Sequence, residues 1–296
     1  MFFLLLACTE SAAREHVPEE GVQFAQINGL ELAYFEEGEG PLVLLVHGFP
    51  DTPHTWDLLT PVLVDAGYRV VRPWLRGYAP SAAPSTDDYE SQVLGQDVLA
   101  WLEYLEPEGA VTVLGHDWGA SAAYSAALQD PGAIDALITS SIPHPGYFVP
   151  KGMDFWNGRH FVGLSQKRAP QRFVRNDYAG VDKFVSRWSP EWAFSAEDME
   201  ASKNAMAAPE GVYNALGYYR AAAGGDLAWM HAPVQVPTWT FAGDSDLLPV
   251  PTFYAMPEEA FAAGYEVIEL EGGHFMHQES PEAFAAAVLE ILEQVN

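Results

Sequence analysis

The stretch that decides the fold runs from Val111 to Ala123, V-T-V-L-G-H-D-W-G-A-S-A-A. Val111 to Leu114 is a short apolar run of the kind a strand needs when both of its faces are covered. It passes into Gly115-His116-Asp117-Trp118-Gly119 and then into the small residues Ala120, Ser121, Ala122 and Ala123. Glycines around a central polar residue, with a strand before and an alanine-rich helix after, predict a sharp turn. Such a turn pushes side chain 117 into the open while the flanking backbones pack closely, which is the spacing of a nucleophile elbow. Serine is the usual occupant; here it is aspartate. An aspartate at a helix start can also be a plain N-cap, but a cap does not call for glycines on both sides.

Working outward, alternating residues in Val22 to Ile27 and Leu30 to Phe35, separated by Asn28-Gly29, predict an opening hairpin. Leu42 to Val46, Tyr68 to Val71 and Ala136 to Ser140 repeat the buried-strand theme, and Tyr89 to Leu105 and Trp118 to Gln129 read as helices between them. This alternation implies an α/β fold, a mostly parallel sheet covered on both faces with its ligands at the carboxyl ends of the strands. After Pro143 a long aromatic-rich stretch to about Trp229 has helical spacing in places and no convincing strand, so it reads as a helical insertion. Strands return at Thr238 to Ala242 and Tyr265 to Leu270, and a helix from Pro281 to about Leu292 closes the chain. The expected organisation is a leader-like segment over 1–20, a first core part over 21–142, a helical cap over 143–230 and a second core part over 231–296.

Composition narrows the function. A 49% hydrophobic fraction in 296 residues is ample for a large core. A formal net charge of −27, with 41 acidic against 14 basic residues, argues against nucleic acid or an anionic membrane surface as partner. Cys8, the one cysteine, excludes an internal disulfide. It ends Met-Phe-Phe-Leu-Leu-Leu-Ala-Cys, a run too short to span a bilayer, whose last residues resemble the box at which bacterial lipoproteins are cleaved and lipidated. Export or lipid anchoring through Cys8 and a cytoplasmic location are both compatible with it.

A carboxylate at the elbow selects a reaction class. It can displace a leaving group from saturated carbon and form an alkyl ester of the enzyme, whereas acyl substrates call for serine or cysteine. Hydrolysing that ester needs a base, and His274 in Gly272-Gly273-His274-Phe275 follows a strand and precedes the last helix. His277 lies nearby but lacks the paired glycines. An orienting acid is available in Gly243-Asp244-Ser245-Asp246-Leu247-Leu248-Pro249.

With these segments in view, the chain from Gly21 onward resembles the α/β-hydrolase superfamily, and within it the epoxide hydrolase and haloalkane dehalogenase branch. There Gly-His-Asp-Trp-Gly is typical, His47-Gly48-Phe49-Pro50 is similar to a recurring segment, and Arg76-Gly77-Tyr78 resembles an R-G-Y-G turn. Trp74 stands where the branch normally has Asp, and Ala79 replaces the second glycine of that turn. The resemblance implies Asp117 as nucleophile, His274 as base, and Asp246, which fits G-x-x-D-x-x-P, as the acid behind it. Phe49 and Trp118 backbone N–H groups fall at the oxyanion positions. Leu216-Gly217-Tyr218-Tyr219-Arg220 is similar to the segment that supplies a ring-opening tyrosine, which maps to Tyr219, and His160 takes the place of the second donor. Both could also be mere packing residues. The implied substrate is a small apolar epoxide or haloalkane together with water, and no cofactor or metal is expected. Trp118 and Ala120 to Ala123 lack the arginines that would grip a carboxylate substrate. A haloalkane dehalogenase, and a non-catalytic receptor on the same fold, are the competing readings.

Overall fold

In the computed structural model, residues 19–148, 157–225 and 227–295 are described. Residues 1–18, and with them Cys8, lie outside the described residues. The centre of the molecule is an eight-stranded sheet in the order β1-β2-β4-β3-β5-β6-β7-β8. Its strands are β1 Gln23–Ile27, β2 Leu30–Glu37, β3 Leu42–Val46, β4 Arg69–Pro73, β5 Val111–His116, β6 Ala136–Ser140, β7 Thr238–Gly243 and β8 Tyr265–Leu270. The first two form the expected hairpin, in which Asn28 and Gly29 take φ values of 45° and 79°, the left-handed pair that a two-residue turn between twisted strands requires. β2 also runs antiparallel to β4, and all later pairings are parallel.

The continuous apolar runs are explained by burial on both faces. Leu42, Leu44 and Val46 of β3 join one hydrophobic cluster with helices Ser91–Leu105 and Trp118–Gln129, while Val43 and Leu45 join another with helices Thr60–Asp65 and Pro281–Val295. Successive side chains of a strand point to opposite faces, so a strand sandwiched between helices buries both sets and favours apolar residues along its whole length. Each such side chain contributes about 1.5–3 kcal/mol when fully buried. Helix Ser91–Leu105 begins two residues later than the sequence suggests. Glu90 is extended, and Tyr89 is drawn out of the helix to pack its ring 5.0 Å from that of Tyr218. Trp74, the departure from the family pattern, is 3% exposed and fills space beside Phe35, with ring centroids 4.8 Å apart. Arg76 nearby is held by Asp97, Nε to Oδ2 at 2.6 Å.

Between β6 and β7 the described residues form short helices and no strand: Arg159–Leu164, Ala169–Phe173, Arg175–Trp188, Glu200–Ala207, Gly211–Ala215 and Gly217–Ala222. They lie over the carboxyl ends of the parallel strands, where Asp117 emerges. The turn at the end of β5 is tight: Asp117 has φ 51° and ψ −116°, outside the regions a residue with a side chain normally occupies. Holding such a conformation costs of order 1–3 kcal/mol. It persists because Asp117 N–H donates to Ser140 O at 3.2 Å, Asp117 O accepts from Ser121 N–H at 3.1 Å, and the helix start is pressed onto β3. At Gly119 a Cβ would stand 2.1 Å from Val46 O and 2.6 Å from His47 O. Both are backbone atoms, one at the end of β3 and one in the residue that follows it, and cannot swing aside. Gly119→Ala should therefore cost at least the roughly 1–3 kcal/mol typical of overpacking, and urea unfolding of the purified variant would measure it; an unchanged midpoint would contradict this account of the elbow.

Candidate active site

Asp117 projects from the elbow into a cavity of about 870 Å³ whose walls also include Trp118, His160, Trp188, Asp246 and His274. Its Oδ1 accepts the Phe49 N–H at 2.8 Å. The Trp118 N–H lies in the first turn of its helix, where donors have no intrahelical partner. Asp117 Oδ2 lies 3.5 Å from His274 Nε2, an ion-pair separation. On the far side of the ring His274 Nδ1–H donates to Asp246 Oδ2 at 2.9 Å, which orients the ring and turns Nε2 toward Asp117. Asp246 Oδ1 accepts the Leu248 N–H at 3.1 Å, so the acid is held from its own loop. Asp244 instead binds Gly272 N–H at 3.0 Å and ties the two loops together, which decides between the two candidate acids. His277 is not at the site: it is buried beside Trp56, ring centroids 4.7 Å apart, and bonded to Thr55.

The electrostatics follow from one cation between two anions. Burial alone would depress the His274 pKa, but the charge of Asp246, reinforced by contact with Asp117, raises it to about 10. Burial works to raise the Asp117 pKa, yet the hydrogen bond and charge of His274, helped by the Phe49 N–H, leave it below the ordinary carboxylate value. His116 is buried and neutral, its pKa lowered to about 3 by desolvation. Its Nε2 donates to the His274 backbone carbonyl at 2.9 Å, and Ser141 Oγ donates to the same carbonyl at 2.6 Å.

The cap supplies two further groups. Tyr218 and Tyr219 are both fully buried, but their hydroxyls differ in fate. Tyr218 lines the cavity and donates to Arg76 O at 2.8 Å. Tyr219 packs its ring 5.2 Å from Trp118 and 5.1 Å from Phe49, and its buried hydroxyl, with the Trp118 side chain beside it, finds no acceptor for its proton among the described residues. Burial, and next the charge of Asp117, push its pKa well above 10, which places the phenol within the field of that carboxylate. Tyr219 stands behind the cavity wall and is not one of its lining residues, whereas His160 lines the cavity with its ring centroid 6.0 Å from that of Tyr219. Its Nδ1–H donates to Asn157 O at 3.0 Å, and burial lowers its pKa to about 4. A neutral imidazole with Nδ1 so committed presents Nε2 as an acceptor, so His160 is not placed as the second donor the sequence suggested.

Trp188 went unremarked in the sequence, yet its ring lies 5.0 Å from His274 and 5.1 Å from His160. One aromatic residue among many in the cap carried no distinguishing signal.

Comparison with known proteins agrees with this fold. The model of the alpha/beta hydrolase family matches residues 43–287. The AB hydrolase superfamily protein YfhM of Bacillus subtilis is 31% identical over 92% of this chain and 97% of its own length. Epoxide hydrolase A of Mycobacterium tuberculosis is 30% identical over 90% of this chain and 95% of its own. The crystal structure of epoxide hydrolase VrEH1 from Vigna radiata superposes with a TM-score of 0.77 at 27% identity, covering 92% of this chain and 98% of that one. A strained carboxylate elbow facing a histidine and a second carboxylate, on this sheet order and with these relatives, places the chain in the alpha/beta hydrolase family as an epoxide hydrolase-like enzyme.

Proposed function

We propose that the protein opens epoxides to vicinal diols through a covalent alkyl ester on Asp117. The observation that carries this reading is the buried, unpartnered Tyr219 hydroxyl within the field of a carboxylate that is itself presented on a strained elbow. An Asp117 oxygen attacks a ring carbon, the carbon–oxygen bond breaks, and its electron pair becomes an alkoxide. That alkoxide is a strong base and takes the Tyr219 proton, a transfer that stays downhill although burial makes the phenol a weaker acid than usual. The ester carries no charge. His274 thereby loses one of its two anionic neighbours, its pKa falls, and its proton can return to the tyrosinate.

Neutral His274 then takes a proton from water as the water attacks the ester carbonyl carbon of Asp117. The Phe49 N–H, already 2.8 Å from Asp117 Oδ1, and the Trp118 N–H stabilise the resulting oxyanion. Collapse breaks the bond to the product oxygen, which receives the proton from His274; the carboxyl left on Asp117 passes its proton to His274, which restores the resting ion pair, and the sum is epoxide plus water giving diol. A volume of about 870 Å³ is near the upper end of the roughly 300–1,000 Å³ of small-molecule sites. With Trp118, Phe161, Trp188, Tyr218 and Trp229 among its walls, the cavity suits bulky apolar epoxides.

One observation favours dehalogenation as a second reading: the buried Trp118 Nε1–H is also unpartnered, and a halide needs only such donors and no proton. The two separate in a single preparation. Styrene-type epoxides should be converted to diols, with bromide release from bromoalkanes slow or absent; bromide outpacing diol would reverse the assignment. Tyr219→Phe should lower epoxide turnover by roughly 100- to 10,000-fold, the usual worth of a positioned acid, with little compensation from His160. His274→Gln should leave Asp117 alkylated, seen as a substrate-sized increase in intact mass. No adduct, with a substrate the wild type turns over, would remove Asp117 and His274 from these roles.

The charge state also carries a pH signature. His274 has a pKa of about 10 in the folded protein against 6.5 for a free imidazole. Between those values the native state binds the extra proton, so its contribution to stability is complete below the lower pKa and is lost as pH rises through the higher one. Urea unfolding at several pH values should show the stability advantage of wild type over His274→Gln shrinking from near neutral pH toward pH ~10; an advantage that grows with pH would show that His274 is neutral in the resting protein.

A further inference from the structure

The loop that carries His274 has its backbone donors committed in an unusual direction. Gly273 N–H donates to Glu279 Oε1 at 2.9 Å, His274 N–H to Trp188 O at 3.1 Å, and Phe275 N–H to Ser189 Oγ at 3.1 Å. Ser189 Oγ–H in turn donates to Glu279 Oε1 at 2.5 Å. Two of these three backbone donors thus end on Trp188 and Ser189, where helix Arg175–Trp188 of the insertion stops, and the third ends on the carboxylate that also holds Ser189. The contact is close: a Cβ on Gly273 would stand 2.5 Å from Ser189 Cα. Ser189 is fully buried, and Glu279 is half-buried with its pKa raised by burial. Neither residue lines the cavity.

We infer that Ser189 and Glu279 are positioning residues for the hydrolytic half of the reaction, locking the backbone on either side of His274 to the end of the cap helix. This rests on the ester mechanism proposed above. The groups that serve the first half are held elsewhere: Asp117 by its elbow and Phe49, Tyr219 by its ring contacts with Phe49 and Trp118. Only the second half depends on where His274 Nε2 stands relative to the attacking water. Loss of the Ser189 hydroxyl takes away the acceptor of Phe275 N–H and one of the two donors on Glu279 Oε1, and the loop can then tilt on its remaining ties to Trp188, Glu279, His116 and Ser141. A misplacement of about 1 Å in a reacting group costs about 100-fold in rate. The cap would therefore act on chemistry and not only as a cover, because the residues that end its helix set the position of the base.

The test is rapid quench of the full-length protein with styrene oxide, followed by intact-mass measurement of ester against time, on wild type, Ser189→Ala, Glu279→Ala and Glu279→Gln. Ser189→Ala and Glu279→Ala should slow ester hydrolysis by roughly 10- to 100-fold while alkylation stays within about three-fold of wild type, so ester accumulates and kcat and KM fall together. Glu279→Gln, which keeps an acceptor oxygen, should recover most of the hydrolysis rate. A general loss of folded protein would instead lower the rate at unchanged KM with no excess ester. If Glu279→Ala fails to fold, Ser189→Ala and Glu279→Gln decide the matter alone. Unchanged hydrolysis in Ser189→Ala, or parallel slowing of both steps, overturns the inference. Absence of ester on both wild type and His274→Gln would instead fell the mechanism, and this inference with it.

Discussion

Two carboxylates, Asp117 and Asp246, share one largely dry site with a single imidazole between them, at 3.5 Å and 2.9 Å. Burying one carboxylate without a partner is costly and burying two close together is worse, so a cation between them offsets that cost. The arrangement also poises the site. A cation held by two anions is a poor base, and removing one anion by making it an ester is what would release it. The same interaction that makes the resting site stable would thus time the appearance of the base to the moment an ester exists.

Everything around this trio serves to hold it against relaxation. The sheet supplies rigidity, since β3, β5 and β6 are buried on both faces and their carboxyl ends cannot shift independently. The elbow stores strain at Asp117 that the surrounding close packing maintains. His116 and Ser141, both buried, grip the His274 carbonyl from below, and the insertion grips its backbone N–H groups from above. The imidazole is clamped at main-chain level as well as through its ring.

The insertion also explains why two adjacent tyrosines differ. Tyr218 gives its hydroxyl to the Arg76 carbonyl and so braces the loop that follows β4. Tyr219, one position on in the same short helix, turns roughly 100° around the axis and keeps its hydroxyl uncommitted among aromatic rings. A buried hydroxyl without a partner is expensive in a protein interior and is tolerated mainly where it has work with a ligand. His160 illustrates the converse: its outward promise as a donor is used up by Asn157 O.

What the sequence by itself determined is whatever rests on local sterics and hydrophobic period. The apolar runs of Leu42–Val46 and Val111–Leu114 can only be strands covered on both faces, Asn28-Gly29 can only be a tight turn, and the small residues around Asp117 mark a backbone that must approach its neighbours closely. Spacing after a strand likewise marked Gly272-Gly273-His274 and the Asp244 to Asp246 loop. Tertiary packing set which hydroxyl of Tyr218 and Tyr219 braces a loop, that His160 Nδ1 is taken up by Asn157 O, and that Tyr89 leaves its helix. It alone brought Trp188, Ser189 and Glu279 to His274 from positions up to 86 residues away. The physical reason is that local geometry is encoded by neighbours in the chain. The protonation, tautomer and free valence of a buried polar group are set by partners from distant segments, and those are fixed only once the whole interior is packed.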